Sequence, residues 1–341
     1  MSGERRTGLK LFLWIVLAMV FHYVALIVGQ VITSAIFVIQ DMNSGILTYT
    51  MAGELFYNGE AVLESEAYLM RYGFETSGFG TVFAVPLVLL GLFICSKAQK
   101  KPLKAFLPVN RFPVVPCLLA LVIGLAIYFP ISFIVTYSPL KDLSTQTQDT
   151  IQLIFGNTPF WVLFFSTAVC APLIEELTFR GFVYSQVDHF LKNRIGEIEE
   201  KYHVVKDHME GVEDGELRKQ AIEERLEKIY KRSHLYVIAV QALLFGAFHM
   251  NLQQFVYATG LGILFGIMRH HTKSVWPCVM AHIGFNAFSV GLYGLMQHEE
   301  WGITKLLLGM NDATLLLITL PIFAAALYGF EIMVKKPQKS P

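Results

Sequence analysis

Charge is scarce in this 341-residue sequence: 16% of its residues are charged, against roughly 25% in an ordinary soluble domain. That shortage excludes a plain soluble enzyme. The 27 basic and 27 acidic residues cancel, so no global field draws nucleic acid or an acidic substrate. Cysteine is also sparse. Cys95, Cys117, Cys170 and Cys278 stand far apart without C-x-x-C spacing, which excludes a disulfide framework and a thiolate zinc site. No H-E-x-x-H helix is present either, so the sequence lacks the arrangement that puts two zinc-binding histidines on one helix face. Hydrophobic residues, at 54%, are what the chain has in abundance.

A hydrocarbon core of about 30 Å takes roughly 20 apolar residues of helix. Eight segments approach this length: Leu11 to Ile39, Phe79 to Ser96, Val114 to Tyr137, Pro159 to Tyr184, Leu235 to His249, Leu252 to Met268, Val275 to Met296 and Ala313 to Val334. The fold class expected is an all-α polytopic membrane protein, one domain over 1–341, with about eight transmembrane helices. The fifth and sixth segments are short and nearly contiguous, which suggests a tight helical hairpin. The first is far longer than the 7–15 residues of a signal peptide's apolar region, so it reads as a retained anchor.

Lysine and arginine near helix ends set orientation. With both termini in the cytoplasm, 23 of the 27 basic residues fall inside, three (Arg71, Lys141, Lys305) outside, and Arg180 within a span. The chain is therefore expected to sit with both ends cytoplasmic, in the plasma (inner) membrane if bacterial. The acidic loop from Asp41 to Glu75 is then external and holds no catalytic constellation.

One stretch, 188–232, reads as a charged cytosolic insertion. Ile198, Tyr202, Val205 and Met209, then Leu217, Ala221, Ile222, Leu226 and Ile229, recur every three or four residues around a break at Gly211 to Gly215, the pattern of a helical hairpin. Glu224 with Lys228 and Glu227 with Lys231 have the favourable acid-before-base spacing of four. The hairpin is either a solvated connector or a dock for a substrate or cytosolic partner.

Ionisable groups inside a span cost about 2.5–3.5 kcal/mol or more each, so they mark function. Glu175, Glu176 and Arg180 lie in the fourth segment, His249 closes the fifth, and His282 lies in the seventh with Asn286 one turn beyond. His22, in the first, is isolated and reads as a hydrogen-bonded packing histidine. Adjacent glutamates are about 100° apart on a helix, so their environments differ. Glu176 precedes Arg180 by four and can neutralise it in a buried pair. Glu175 has no local cation and can take a proton from water. Helical rise puts Glu175 about 20 Å, His249 about 25 Å and His282 about 15 Å from the nearest cytoplasmic charges. Helix tilt or projection beyond the headgroups must absorb that spread if the groups converge on a cytosol-facing cavity.

Three motifs, Glu175-Glu176-x-x-x-Arg180, Phe245-x-x-x-His249 and His282-x-x-x-Asn286, in this order on separate spans, resemble those of the CPBP (CAAX protease and bacteriocin-processing) family, which includes the type II CAAX prenyl endopeptidases. The resemblance covers 160–290. It implies peptide-bond hydrolysis in a bundle of about eight helices, with Glu175 activating water, His249 assisting, His282 and Asn286 stabilising the oxyanion, and Glu176 and Arg180 supporting the site. The substrate would be a peptide or protein, lipid-modified or membrane-embedded in one version. Metal-independent glutamate catalysis is the reading adopted, so no cofactor is expected; zinc held by Glu175, His249 and His282 is the alternative. Glu176 and His249 stand 73 residues apart, farther than expected for the family, and the insertion accounts for most of this. Two other classes fit the same residues: a non-catalytic membrane scaffold or bacteriocin-immunity protein, and a proton-coupled transporter. No inverted repeat between the halves supports the last.

Overall fold

A computed structural model describes residues 2–46, 71–72, 75–110, 112–143, 156, 158–207 and 215–335. Among the described residues all regular structure is helical. The helices are α1 (Ser2–Asn43), α2 (Thr76–Ala98), α3 (Val114–Thr136), α4 (starting at Phe160 and running to Asp207), α5 (Gly215–Phe248), α6 (Leu252–Thr272), α7 (Trp276–Met296), α8 (Gly302–Leu308) and α9 (Asp312–Lys335). Helices are what such apolar runs must form, because lipid offers no partners to backbone N–H and C=O groups. Residues Gly8–Asn43, Thr76–Ala98, Val114–Thr136, Phe160–Glu200, Trp276–Met296 and Asp312–Lys335 are long and apolar enough to cross a membrane. The chain is thus a polytopic all-α membrane protein.

The two short segments of the sequence reading, Leu235 to His249 and Leu252 to Met268, do form helices, within α5 and α6, but neither is among those six spans. Polar residues explain why: Gln241 interrupts α5, and α6 starts with Gln253 and Gln254 and ends with Arg269, His270 and His271. Gln241 is buried, and its amide donates to Gly262 O at 2.7 Å, tying α5 to α6. The turn between them is three residues long, closed by Asn251, whose side chain accepts from Gln254 N at 2.8 Å as an N-cap.

Glycine sets the closest helix crossing at the site. A Cβ on Gly124 of α3 would run into Ala281 O of α7, and one on Gly284 of α7 into Leu121 O of α3. Backbones that touch this closely leave α7 little freedom to roll or slide, which fixes the direction in which His282 projects. Behind it, Ala120, Ile123, Leu261, Phe265, Cys278 and Ala281 fill a core shared by α3, α6 and α7.

The charged insertion is not a separate unit. Its two arms are the continuation of α4 and the start of α5, joined by Tyr202 donating to Glu223 Oε1 at 3.2 Å. The Glu227–Lys231 and Glu224–Lys228 pairs form at 2.6 and 3.6 Å. The Gly211 to Asp214 part of its break, the side chains of Val205 and Met209, and most of the acidic loop from Asp41 to Glu75 lie outside the described residues.

Candidate active site

The site is built on an irregular helix. α4 passes through Phe160–Leu163, a π-helical stretch Phe164–Cys170, the α-helical Ala171–Glu176, a second π stretch Leu177–Val183 and then Tyr184–Asp207. Two widened turns therefore bracket the six residues that end on Glu175 and Glu176. Such turns interrupt the regular i→i−4 ladder and recur at functional sites. Two of their carbonyls accept from neighbouring helices: Thr167 O from Asn286 Nδ2 of α7 at 2.9 Å, and Arg180 O from Arg269 Nε of α6 at 3.1 Å.

Glu176 and Arg180 are fully buried and paired, with Arg180 Nη1 donating to Glu176 Oε1 at 2.8 Å. The guanidinium also lies over Phe245 (4.1 Å to the ring centroid) and Phe265 (5.1 Å). Those rings supply attraction to a cation whose Nε and Nη2 have no hydrogen-bond partner among the described residues.

His282 connects the two glutamates. Its Nδ1 donates to the same Glu176 Oε1 at 2.9 Å, while its Nε2 stands 3.8 Å from Glu175 Oε2. The first distance is a hydrogen bond; the second is too long for one. Adjacent carboxylates with different environments are what the helical rotation requires. One imidazole reaching both is not something spacing shows, and it supplies Glu175 with the neighbour that its own helix lacks. Glu175 is the more open of the two, with its side chain 17% exposed and Oε2 free of hydrogen bonds among the described residues.

His249 lies farther off. It follows the last residue of α5, its Nδ1 donates to Phe245 O at 2.8 Å, and Nε2 is left with its lone pair. The Phe245 ring is edge-on to both imidazoles, 5.0 Å from His249 and 5.8 Å from His282 between centroids. Among the described residues no hydrogen bond or ion pair links His249 to Glu175. Asn286 shares the α7 face of His282 but spends one amide hydrogen on Thr167 O. The structure thus joins Glu175, Glu176, Arg180 and His282 directly, and sets His249 and Asn286 at the margin.

The zinc alternative was tested on this geometry. Among the described residues no three His, Cys, Asp or Glu side chains are grouped so as to hold a metal ion. His282 Nδ1 on Glu176 leaves Nε2 open and 3.8 Å from Glu175 Oε2, an arrangement a metal ligand can have, but His249 is not grouped with the two, so the three do not form a zinc ligand set as arranged.

Residues on α1 complete the surroundings. Thr178 gives its hydroxyl hydrogen to Ile174 O (2.8 Å), so it accepts from His22 Nδ1 at 3.0 Å. His22 is therefore the hydrogen-bonded packing histidine expected, but it packs one turn from Glu175. Tyr23 stacks on Phe248 at 4.3 Å and donates to Phe248 O, holding the end of α5 beside His249. The sequence reading missed Tyr23 and Arg269. Only a long-range contact reveals either, since a tyrosine among apolar residues and an arginine at a helix end are both ordinary.

No curated protein and no solved structure matched the chain. A family model described as type II CAAX prenyl endopeptidase Rce1-like matched residues 157–288, a stretch that contains all seven residues of the three motifs. Residues 157–288 are therefore similar to the Rce1-like type II CAAX prenyl endopeptidases, and the Glu175, Glu176, Arg180 and His282 cluster lies within that stretch.

Proposed function

We propose that the protein is an intramembrane endopeptidase that hydrolyses a peptide bond with water activated by Glu175, in a cavity facing the cytosol and with both termini on that side. The observation that carries this reading is the Glu175–His282–Glu176–Arg180 array inside the matched segment. Glu175 is partly exposed and has no cation paired with it among the described residues, while buried Glu176 is neutralised by Arg180, so the two carboxylates are free to do different work.

In the proposed reaction Glu175 takes a proton from water as the oxygen attacks the amide carbon. The carbonyl π pair moves onto the carbonyl oxygen. Two donors would receive that charge: His282 Nε2 when it carries a proton, and the second amide hydrogen of Asn286. On collapse the C–N bond breaks and the leaving nitrogen takes the proton, with His249 Nε2 assisting the transfer. Glu176 and Arg180 hold His282 in place through Nδ1. A CAAX-type peptide or protein terminus, lipid-modified and approaching from the bilayer, is the substrate class proposed on the family match.

The test is reconstitution in liposomes with a peptide library. Glu175→Gln should lower turnover by about 10²–10⁴-fold, the usual contribution of a positioned base, and His249→Ala should lower it as well. Undiminished cleavage by Glu175→Gln would remove that residue from its role. No cleavage by the wild type, with a phenotype that survives Glu175→Gln, would favour a scaffold. Activity that persists in chelator, with no metal in the purified protein, would support the metal-free reading.

A further inference from the structure

A second polar concavity lies away from the carboxylate cluster. It is a cavity of about 570 Å³ between α4, α5, α6 and the loop that joins α2 to α3. Five basic side chains line it (Lys104, Lys192, Lys231, Arg269, Lys273), against one acid, Asp188. The acid is already engaged, since Lys192 binds Asp188 at 2.7 Å, and Lys231 is occupied by Glu227 at 2.6 Å. Lys104, Arg269 and Lys273 have no ion-pair partner among the described residues.

Arg269 is the informative group. It is only 7% exposed, and its Nε is anchored on Arg180 O, with the guanidinium 4.9 Å from the Tyr184 ring centroid. Its two terminal nitrogens make no hydrogen bond among the described residues, although the residue lines the cavity. A buried cation with a free fork is expensive unless an anion meets it. Lys273 points the same way. It closes α6 with φ of 54°, a left-handed conformation that usually falls to glycine. The sequence accepts that strain and places an amine on the cavity wall.

The rim is fixed by hydrogen bonds from three places. Val275 N donates to Pro108 O at 3.2 Å, Ser274 Oγ to Asn110 O at 3.3 Å, and Ser185 Oγ to Phe106 O at 3.4 Å. The cavity opens close to the start of the Trp276–Met296 span and along the charged end of the Phe160–Glu200 span. Exposed Trp276 and Tyr230 stand at that level, as aromatic residues do at a membrane surface.

We propose that this cavity binds a phosphate monoester, presented by a membrane lipid headgroup. Three unpaired cations match a phosphate charge of about −1.5 to −2 better than the single charge of a carboxylate, and the arginine fork suits phosphate oxygens. Basic pockets between membrane helices are where such headgroups are held. The occupant would act on Arg269, whose Nε holds the carbonyl of the same Arg180 that pairs with Glu176.

The experiment uses the full chain in phosphatidylcholine nanodiscs and reads its unfolding temperature, so it does not depend on peptidase activity. Adding phosphatidic acid should raise the unfolding temperature of the wild type. Inorganic phosphate in solution forms the second arm. Stabilisation by lipid alone identifies a headgroup; stabilisation by both shows that free phosphate is also accepted. Arg269→Gln and Lys273→Gly should each weaken the lipid effect, with about fivefold lower affinity per cation removed. Lys273→Gly also relieves the left-handed strain, so it should be at least as stable as wild type without lipid, which separates lost binding from lost folding. Equal stabilisation of wild type and both variants by phosphatidic acid would overturn the proposal. So would a response to neither phosphate source together with stabilisation by a peptide bearing a free C-terminal carboxylate.

Discussion

Glu176–Arg180 and Glu227–Lys231 are the same device in two environments. Both put an acid four residues before a base on a helix, and their contacts are alike at 2.8 and 2.6 Å. The first pair is fully buried; the second has side chains 64% and 71% exposed. Water screens the hairpin pair and makes it nearly dispensable. The intramembrane pair has no such screening, so each partner is needed to make the other tolerable, and the shared oxygen that also binds His282 ties the pair to the site. Spacing creates both pairs, and burial decides which one matters.

Breaking the buried pair should have the largest effect. Glu176→Ala leaves Arg180 charged in a dry site, and a loss of about 3–5 kcal/mol is expected for removal of one partner of such a pair, read as a lower unfolding temperature in detergent. Replacing both residues by apolar ones of similar volume should restore much of that stability while leaving cleavage impaired, because His282 loses its anchor. Recovery of cleavage in the double variant would show that the pair serves the fold alone.

Asn286→Ala comes next. It strips Thr167 O of its side-chain donor, at about 1–3 kcal/mol for an orphaned buried group, and removes a proposed oxyanion donor, worth about 10²–10³-fold in turnover. Turnover lost at an unchanged unfolding temperature would assign Asn286 to the oxyanion, and a lower unfolding temperature at unchanged turnover would assign it to Thr167 O alone. On the exposed side, Glu227→Ala should leave thermal stability unchanged, and a clear loss would mean that the hairpin is docked against something that the pair helps to hold.

A pH-dependent effect concerns His270, which lies beyond the apolar part of α6. Burial, then the nearby charge of Lys273, pushes its pKa down from 6.5 to about 4. Between those values the unfolded chain binds a proton that the folded chain does not, so stability falls as pH drops through that window. His270→Asn should flatten this decline between about pH 6.5 and 4. An unaltered profile would place the acid sensitivity elsewhere.

Some of this was open to reading from the sequence. Apolar runs specify helices because nothing else satisfies a backbone in lipid, and the short α5–α6 turn followed from how little polar chain separates them. The Glu176–Arg180 pair was legible because a contact four residues away depends only on helical pitch. The hydropathy of α5 and α6 was harder to judge, since Gln241, which looks unsuited to lipid, is buried between the two helices. Arg269 and Tyr23 were not legible, because each matters only through a carbonyl on another helix.

By itself, then, the sequence determined that this is an all-helical membrane protein, which spans carry ionisable groups, and which of those groups pair along one helix. These follow from solvation and from local geometry, which repeat the same way in any helix. Only the tertiary structure decided that one imidazole binds Glu176 and faces Glu175, that the Phe245 ring is edge-on to both His249 and His282, that Asn286 holds a carbonyl in a π turn, and that three cations without an ion-pair partner among the described residues line one cavity. Those outcomes depend on how α4, α5, α6 and α7 rotate against one another. That rotation is fixed by touching glycines and packed side chains far apart in the chain but adjacent in space, such as Gly124 with Ala281 and His22 with Thr178.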